Sequence, residues 1–162
     1  DVYGGFGTSL RFYGVDFSIG FTYQLGGQVL DQGYRFYMNS PAGTSTGNNY
    51  HHDLLNSWTP ENSGSNIPRF AYNDSNQAAV SDRFLTSASY LNIQNITLGY
   101  TLPKRITRKF LVENLRIYLA CDNVWYWSKR QGLDPRQSIN GITNPYYYAP
   151  IRTFSGGVTV TF

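Results

Sequence analysis

The chain has 162 residues, 17% of them aromatic and only 14% charged, with a net charge of +3; an average soluble protein is about 25% charged. The basic residues are few and scattered, which excludes a nucleic-acid-binding face of the usual basic kind. One cysteine, Cys121, excludes an internal disulfide or a cysteine-rich metal site, and no run approaches the roughly 20 apolar residues of a membrane helix.

Period-2 alternation predicts five strands in chain order. The first covers Val2 to Tyr13. Val2, Gly4, Phe6, Leu10 and Phe12 share one face, with Thr8 as the exception. Gly14 marks a tight turn into the second, Val15 to Val29, whose apolar face is Val15, Phe17, Ile19, Phe21, Tyr23 and Leu25. The third, Ser89 to Pro103, changes phase: Leu91 and Ile93 are apolar in its first half, then Ile96, Leu98, Tyr100 and Leu102. A bulge, or a change of environment along the strand, produces such a shift. The fourth, Asn114 to Lys129, sets Leu115, Ile117, Leu119, Cys121, Trp125 and Trp127 against Arg116, Tyr118, Ala120, Asp122, Val124 and Tyr126. Asn123 falls on the apolar face without an evident reason. The last strand runs from Thr153 to Phe162, with Phe154, Gly156, Val158, Val160 and Phe162 on one face.

The connections alternate between short and long: one tight turn, then about Asp31 to Ser87, then Lys104 to Glu113, then about Arg130 to Arg152. Long loops on one side and short turns on the other are the pattern of outer-membrane barrels, whose tilted strands need about 9–11 residues to cross a bilayer. Lipid offers no partner to an open strand edge, and the smallest bacterial barrels have about eight strands. Five strands therefore belong with others in a larger barrel, supplied by the same chain or by several chains.

SASYLNIQNITLGYTLP, NLRIYLACDNVWYWSKRQGLDP and APIRTFSGGVTVTF together resemble the C-terminal end of SusC/RagA-type TonB-dependent outer-membrane transporters of Bacteroidetes. YGGFGTSLRFYGVDFSIGF and SWTPENSGSNIPR resemble that family too, and the order of the segments is kept over nearly the whole chain. The resemblance implies an all-β fold: the last five or so antiparallel strands of a transmembrane barrel of about 22 strands with long extracellular loops. It makes residues 1–162 one C-terminal barrel segment without the plug and remaining strands, and places the C-terminus in the periplasm. It implies no cofactor and no enzymatic activity. The implied partners are the rest of the barrel and plug, a SusD-like surface lipoprotein acting as a lid, TonB–ExbB–ExbD through the absent N-terminal part, and outer-membrane lipid. The implied cargo is glycans, oligosaccharides or peptides. Phe162 resembles the terminal residue read by the barrel-assembly machinery. Counting five strands back from a periplasmic end puts Asp1 on the extracellular side, and the expectation is a break in or beside an extracellular loop.

Trp125 and Trp127, on the apolar face, fit an aromatic girdle. Arg116, Asp122 and Tyr126 point the other way, into the lumen, where charges pair with neighbouring strands, plug or substrate. In the first long loop, Leu54 and Trp58 are four apart and predict a short amphipathic helix. Trp58 is either an anchor for the lid or part of the loop's own packing. His51, His52 and Asp53 are adjacent and lack a further ligand at metal-site spacing, so no metal is expected. Tyr146, Tyr147 and Tyr148 fit substrate stacking, interface anchoring or loop packing. Lys104, Arg105, Arg108 and Lys109 fit a solvated turn, with anionic headgroups as the alternative contact. Cys121 lies at mid-strand on the lipid face, away from reactive surroundings. The sequon at Asn95 lies inside a strand and is set aside.

Two other functions compete on residue type. A barrel hydrolase needs a nucleophile oriented by a base, and the two histidines, His51 and His52, stand in a loop apart from the strand serines. A soluble β-sandwich or barrel that binds carbohydrate is the alternative. Such a domain has no need of outward apolar bands of bilayer length.

Overall fold

The computed structural model describes residues 1–41, 47–130, 132–137, 140–144 and 146–162. It divides into two compact units.

The first unit comprises Asp1–Gly27, Ala88–Asp134 and Tyr148–Phe162. β1 (Val2–Phe12) and β2 (Val15–Leu25) form a hairpin with Phe12 opposite Val15. The two residues between them, Tyr13 and Gly14, have φ of 47° and 85°. Left-handed conformation at both positions matches the right-handed twist of the flanking strands. The short β3 (Gln28–Leu30) and β4 (Leu85–Ser87) belong to the second unit. The sheet continues with β5 (Tyr90–Thr101), β6 (Asn114–Ser128) and β7 (Thr153–Thr161). All five long strands pair antiparallel in the order β1-β2-β5-β6-β7. The sheet is open: β1 and β7 each pair with one neighbour among the described residues. The fold is thus the antiparallel strand array expected of a barrel segment.

Two bulges lie at one level of the sheet. Gly20 and Phe21 of β2 are opposite Asn95 and Ile93, so Gln94 is the extra residue of β5. Ile93 and Asn95 are opposite Trp125 and Asp122, so β6 carries a further extra residue there. That explains the phase change of the third predicted strand. It also accounts for Asn123: its φ is 51°, a left-handed conformation that Asn tolerates better than most residues. Its side-chain amide donates to the Ile151 carbonyl at 3.2 Å. The two added residues keep Trp125 and Trp127 on the same face as Leu119 and Cys121.

The second predicted strand ends earlier than its alternation suggests. Gly26 and Gly27 take φ of 88° and 80°, which breaks the ladder and starts the separate β3–β4 pair.

The second unit comprises Gln28–Ser87 and Pro135–Tyr147. Its core is Leu30, Met38 and Phe84, with Tyr34, Leu54 and Ile67 packed against them. Helix α1 (Gln32–Tyr37) is capped by Asp31, whose carboxylate accepts the Tyr34 N–H at 2.8 Å. That bond satisfies one donor of the first turn. The amphipathic helix expected around Leu54 and Trp58 is instead a 3₁₀ turn, His52–Asn56. It ends at Ser57, which turns extended at ψ 154°. Trp58 therefore lies beyond the helix, is 38% exposed, and donates its backbone N–H to the Ile67 carbonyl at 2.8 Å. Leu54 alone reaches the core.

Candidate functional site

The register sorts the sheet into two chemically distinct faces. One carries cross-strand rows of apolar residues. Leu10, Phe17, Leu98, Leu119 and Gly156 form one row. Thr8, Ile19, Ile96, Cys121 and Phe154 form the next. Phe6, Phe21, Ile93 and Trp125 follow, with the Phe6 and Phe21 rings stacked at 4.8 Å. Such a pair contributes about 0.5–1.5 kcal/mol beyond its buried area. These side chains are not covered by protein: Leu119 is 65% and Phe154 76% exposed. Trp125 and Trp127 lie on this face towards one end, and the Arg152 guanidinium stacks over Trp125 at 5.6 Å.

The opposite face is polar. Arg116 of β6 reaches across β5 to Asp16 of β2, with Nε donating to Oδ1 at 3.0 Å and a second guanidinium N–H donating to Oδ2. This two-point geometry suits a planar guanidinium. The residue between them, Gly99, leaves the space the pair occupies; a Cβ there would stand 2.5 Å from both Arg116 and Asp16 side-chain atoms. Tyr118 lies in the same way over Gly157 of β7. Further along this face Asn92 is buried, and its amide donates to the Thr22 hydroxyl at 3.0 Å. Tyr126 is opposite Asn92, and Asp122 is opposite Asn95 and Thr153. Arg116, Asp122 and Tyr126 thus share the polar face but occupy separate rows.

In the second unit, Tyr34 organises the loop. Its hydroxyl donates to Asp53 at 2.9 Å and its ring meets His51 edge-on at 4.7 Å. The His51 Nδ1 accepts the Asp53 N–H at 3.2 Å and caps the 3₁₀ turn. His52 Nδ1 stands 2.9 Å from Asp53 Oδ1. The ligand-type atoms of these three residues lie within 4.8 Å of one another; the His51 Nδ1 caps the turn and an Asp53 carboxylate oxygen accepts the Tyr34 hydroxyl. Tyr146 packs edge-on against Phe36 at 6.3 Å. With Gln32, Arg35, Asn39 and Ala78 they line an open hollow of about 280 Å³. Tyr147 belongs to the same unit and is exposed; Tyr148 belongs to the sheet unit and is 96% exposed. Lys104, Arg105, Arg108 and Lys109 sit in a helical turn made of α2 (Lys104–Thr107) and the 3₁₀ residues Arg108–Phe110.

No protein-family model matches the chain. It is 26% identical to TonB-dependent receptor P3 of Formosa agariphila, over 98% of this chain and 16% of that protein. It is 36% identical to the TonB-dependent receptor SusC of Bacteroides thetaiotaomicron, over 51% of this chain and 8% of that one. Its structure superposes on that of the RagAB peptide transporter with a TM-score of 0.81 and 25% identity, covering 99% of this chain and 17% of that one. In sequence and in structure the chain is similar to a segment of SusC/RagA-type receptors. It spans about one-sixth of the curated relatives matched along its whole length.

Several residues of the two units carry no clear signal in the sequence. Asp16 is one hundred residues from its partner Arg116, and the only signal in the sequence was a glycine, Gly99, on the polar face of a strand. Arg35, Phe36 and Asn39 line the hollow beside Tyr146 but carry no periodic pattern that would have singled them out. Phe162, after the last residue of β7, is 88% exposed.

Proposed function

We propose that this chain is the C-terminal wall segment, residues 1–162, of a TonB-dependent importer in the bacterial outer membrane. The observation that carries this reading is the uncovered apolar face spanning five antiparallel strands of 9 to 15 residues. About 9–11 tilted residues cross a bilayer. The same exposed face counts against the soluble carbohydrate-binding module, which would have to present it to water. The likeness to TonB-dependent receptors and to a peptide transporter supports import rather than catalysis.

In this reading the C-terminus is periplasmic and Phe162 belongs to the assembly signal. Trp125 and Trp127 form part of the outer aromatic girdle. Arg116, Asp122 and Tyr126 face the lumen. The Arg116–Asp16 pair braces the wall across β5 and keeps both charges paired on the lumen face. Trp58 and the tyrosines Tyr146, Tyr147 and Tyr148 are contacts for a SusD-like lid or for cargo. The cargo is a glycan, an oligosaccharide or a peptide. Uptake proceeds by capture under the lid and TonB-driven rearrangement of the plug, with cargo favouring the closed state by its differential affinity.

The test is to purify the polypeptide from membranes in detergent and identify what accompanies it by mass spectrometry. The expected companions are the remaining strands and plug, in one chain or a tightly held second one, and a SusD-like lipoprotein. A chain that is monodisperse without detergent and travels alone would refute the proposal.

A further inference from the structure

The apolar face of the sheet is not uniformly filled. Towards the Trp-bearing end, a cross-strand row reads Gly4, Tyr23, Leu91 and Trp127. Two large rings flank a single leucine, and Tyr23 leans over Gly4, where a Cβ would meet its hydroxyl at 3.1 Å. The result is a hollow of about 660 Å³, lined among others by Phe6, Tyr23, Leu91 and Trp127, with Lys129 at its margin. Lys129 is held at the exit of β6. The hydroxyl of the preceding Ser128 donates towards the Arg130 and Leu133 carbonyls, at 2.9 and 3.1 Å.

The charged residue that lines the hollow is basic. The outward positions of the five strands carry no Asp, Glu, Lys or Arg. Immediately beyond the strand ends come Lys129, two residues after Trp127, and Arg152, which stacks on Trp125. The nearby carboxylate of Asp1 rests against Gly26 and Gly27 and does not line the hollow. An apolar slot between aromatic walls, with Lys129 in its lining and Arg152 stacked on Trp125 of the adjacent cross-strand row, has the polarity of an anionic lipid read from tail to head. Aromatic rings sit well at the level where tails meet headgroups, and basic side chains there attract anionic headgroups.

We propose that this hollow is a binding site for a lipid with a phosphate-bearing headgroup. An acyl tail lies over Leu91 between Tyr23 and Trp127, and the phosphate lies against Lys129, with Arg152, on Trp125 of the adjacent row, as the second cation within reach. The proposal rests on reading these strands as membrane wall. It goes further in assigning one selective lipid position on that wall.

The test uses the intact barrel containing these strands, in detergent, probed by native mass spectrometry. The probes are dimyristoylphosphatidylglycerol and, with the same tails but no phosphate, dimyristoylglycerol. The wild-type barrel retains the phosphorylated lipid in preference. K129Q lowers that retention about fivefold and K129Q/R152Q roughly thirtyfold, the expectation for about 1 kcal/mol per basic residue. K129R restores it, and Leu91→Trp, which fills the slot, removes it. Equal retention of both lipids, an unchanged double variant, or displacement of the lipid by an equal concentration of inorganic phosphate would overturn the site. A barrel that still requires detergent and migrates as a heat-modifiable species leaves the wall reading standing when lipid selectivity is absent. A chain soluble without detergent removes both.

Discussion

The two units of this chain treat apolar side chains in opposite ways. In the loop unit Met38 is 0% and Phe84 2% exposed, gathered with Leu30 into a small core. In the sheet unit Phe6, Leu119 and Phe154 are more than half exposed, in continuous rows across neighbouring strands. Both behaviours follow from one rule: apolar surface leaves water. The loop unit gathers Leu30, Met38 and Phe84 into an internal core, while Leu55 and Val80 stay exposed singly. The sheet has nothing inside to hide its apolar rows against, so its hydrophobic medium must lie outside the chain. Polar groups invert in the same way. The sheet keeps its paired charge, Arg116 with Asp16, on the face opposite the exposed apolar rows.

Substitutions that break this contrast rank by the medium they offend. Phe84→Ala empties the centre of the loop core and should cost that unit about 3–5 kcal/mol. Proteolysis of the folded protein should become rapid between residues 28 and 87 while the sheet stays resistant. Leu119→Arg places a charge in the middle of the exposed apolar face and should destabilise the folded barrel by about 2–4 kcal/mol in lipid. The readout is urea unfolding in vesicles. Leu119→Arg in a water-facing sheet would be harmless or solubilising, so the sign separates the two media. Gly99→Val fills the space taken by the Arg116–Asp16 pair. An overpacking cost of about 1–3 kcal/mol is expected, visible as a lowered melting temperature of the barrel. Asn123→Val sets a β-branched side chain at φ 51°. It should cost about 1–2 kcal/mol and loosen the bulge, seen as faster amide exchange at Trp125 and Val124.

The sheet was legible in the sequence because its signal is local. Alternation in Val15 to Leu25 and in Thr153 to Phe162 fixes both strand and face without knowledge of any partner. Even the bulge in β5 showed itself, as the phase change between Ile93 and Ile96. What stayed hidden needs long-range geometry. Leu30, Met38 and Phe84 follow no period, and only the folded loop brings them together. Gln94 and the extra residue of β6 compensate one another across two strands, so Asn123 looked misplaced when β6 was read alone. The spacing of Leu54 and Trp58 misled because it presumes α-helical pitch, whereas the chain makes a 3₁₀ turn ending before Trp58. Asp16 looks like an ordinary strand-end charge until the register brings Arg116 across β5 to it.

The central claim is that the apolar face meets lipid and the opposite face does not. Spin labels placed one at a time on the intact barrel in bilayers, with Cys121 replaced by Ser, would test it most directly. Phe17, Leu98 and Leu119 sample the first face, and Ser18, Thr97 and Ala120 the second. Labels on the first face should collide with dissolved oxygen and be shielded from a water-soluble nickel reagent. Labels on the second should not show that pattern, giving strict alternation along each strand. Equal access of the nickel reagent to both faces would contradict the account.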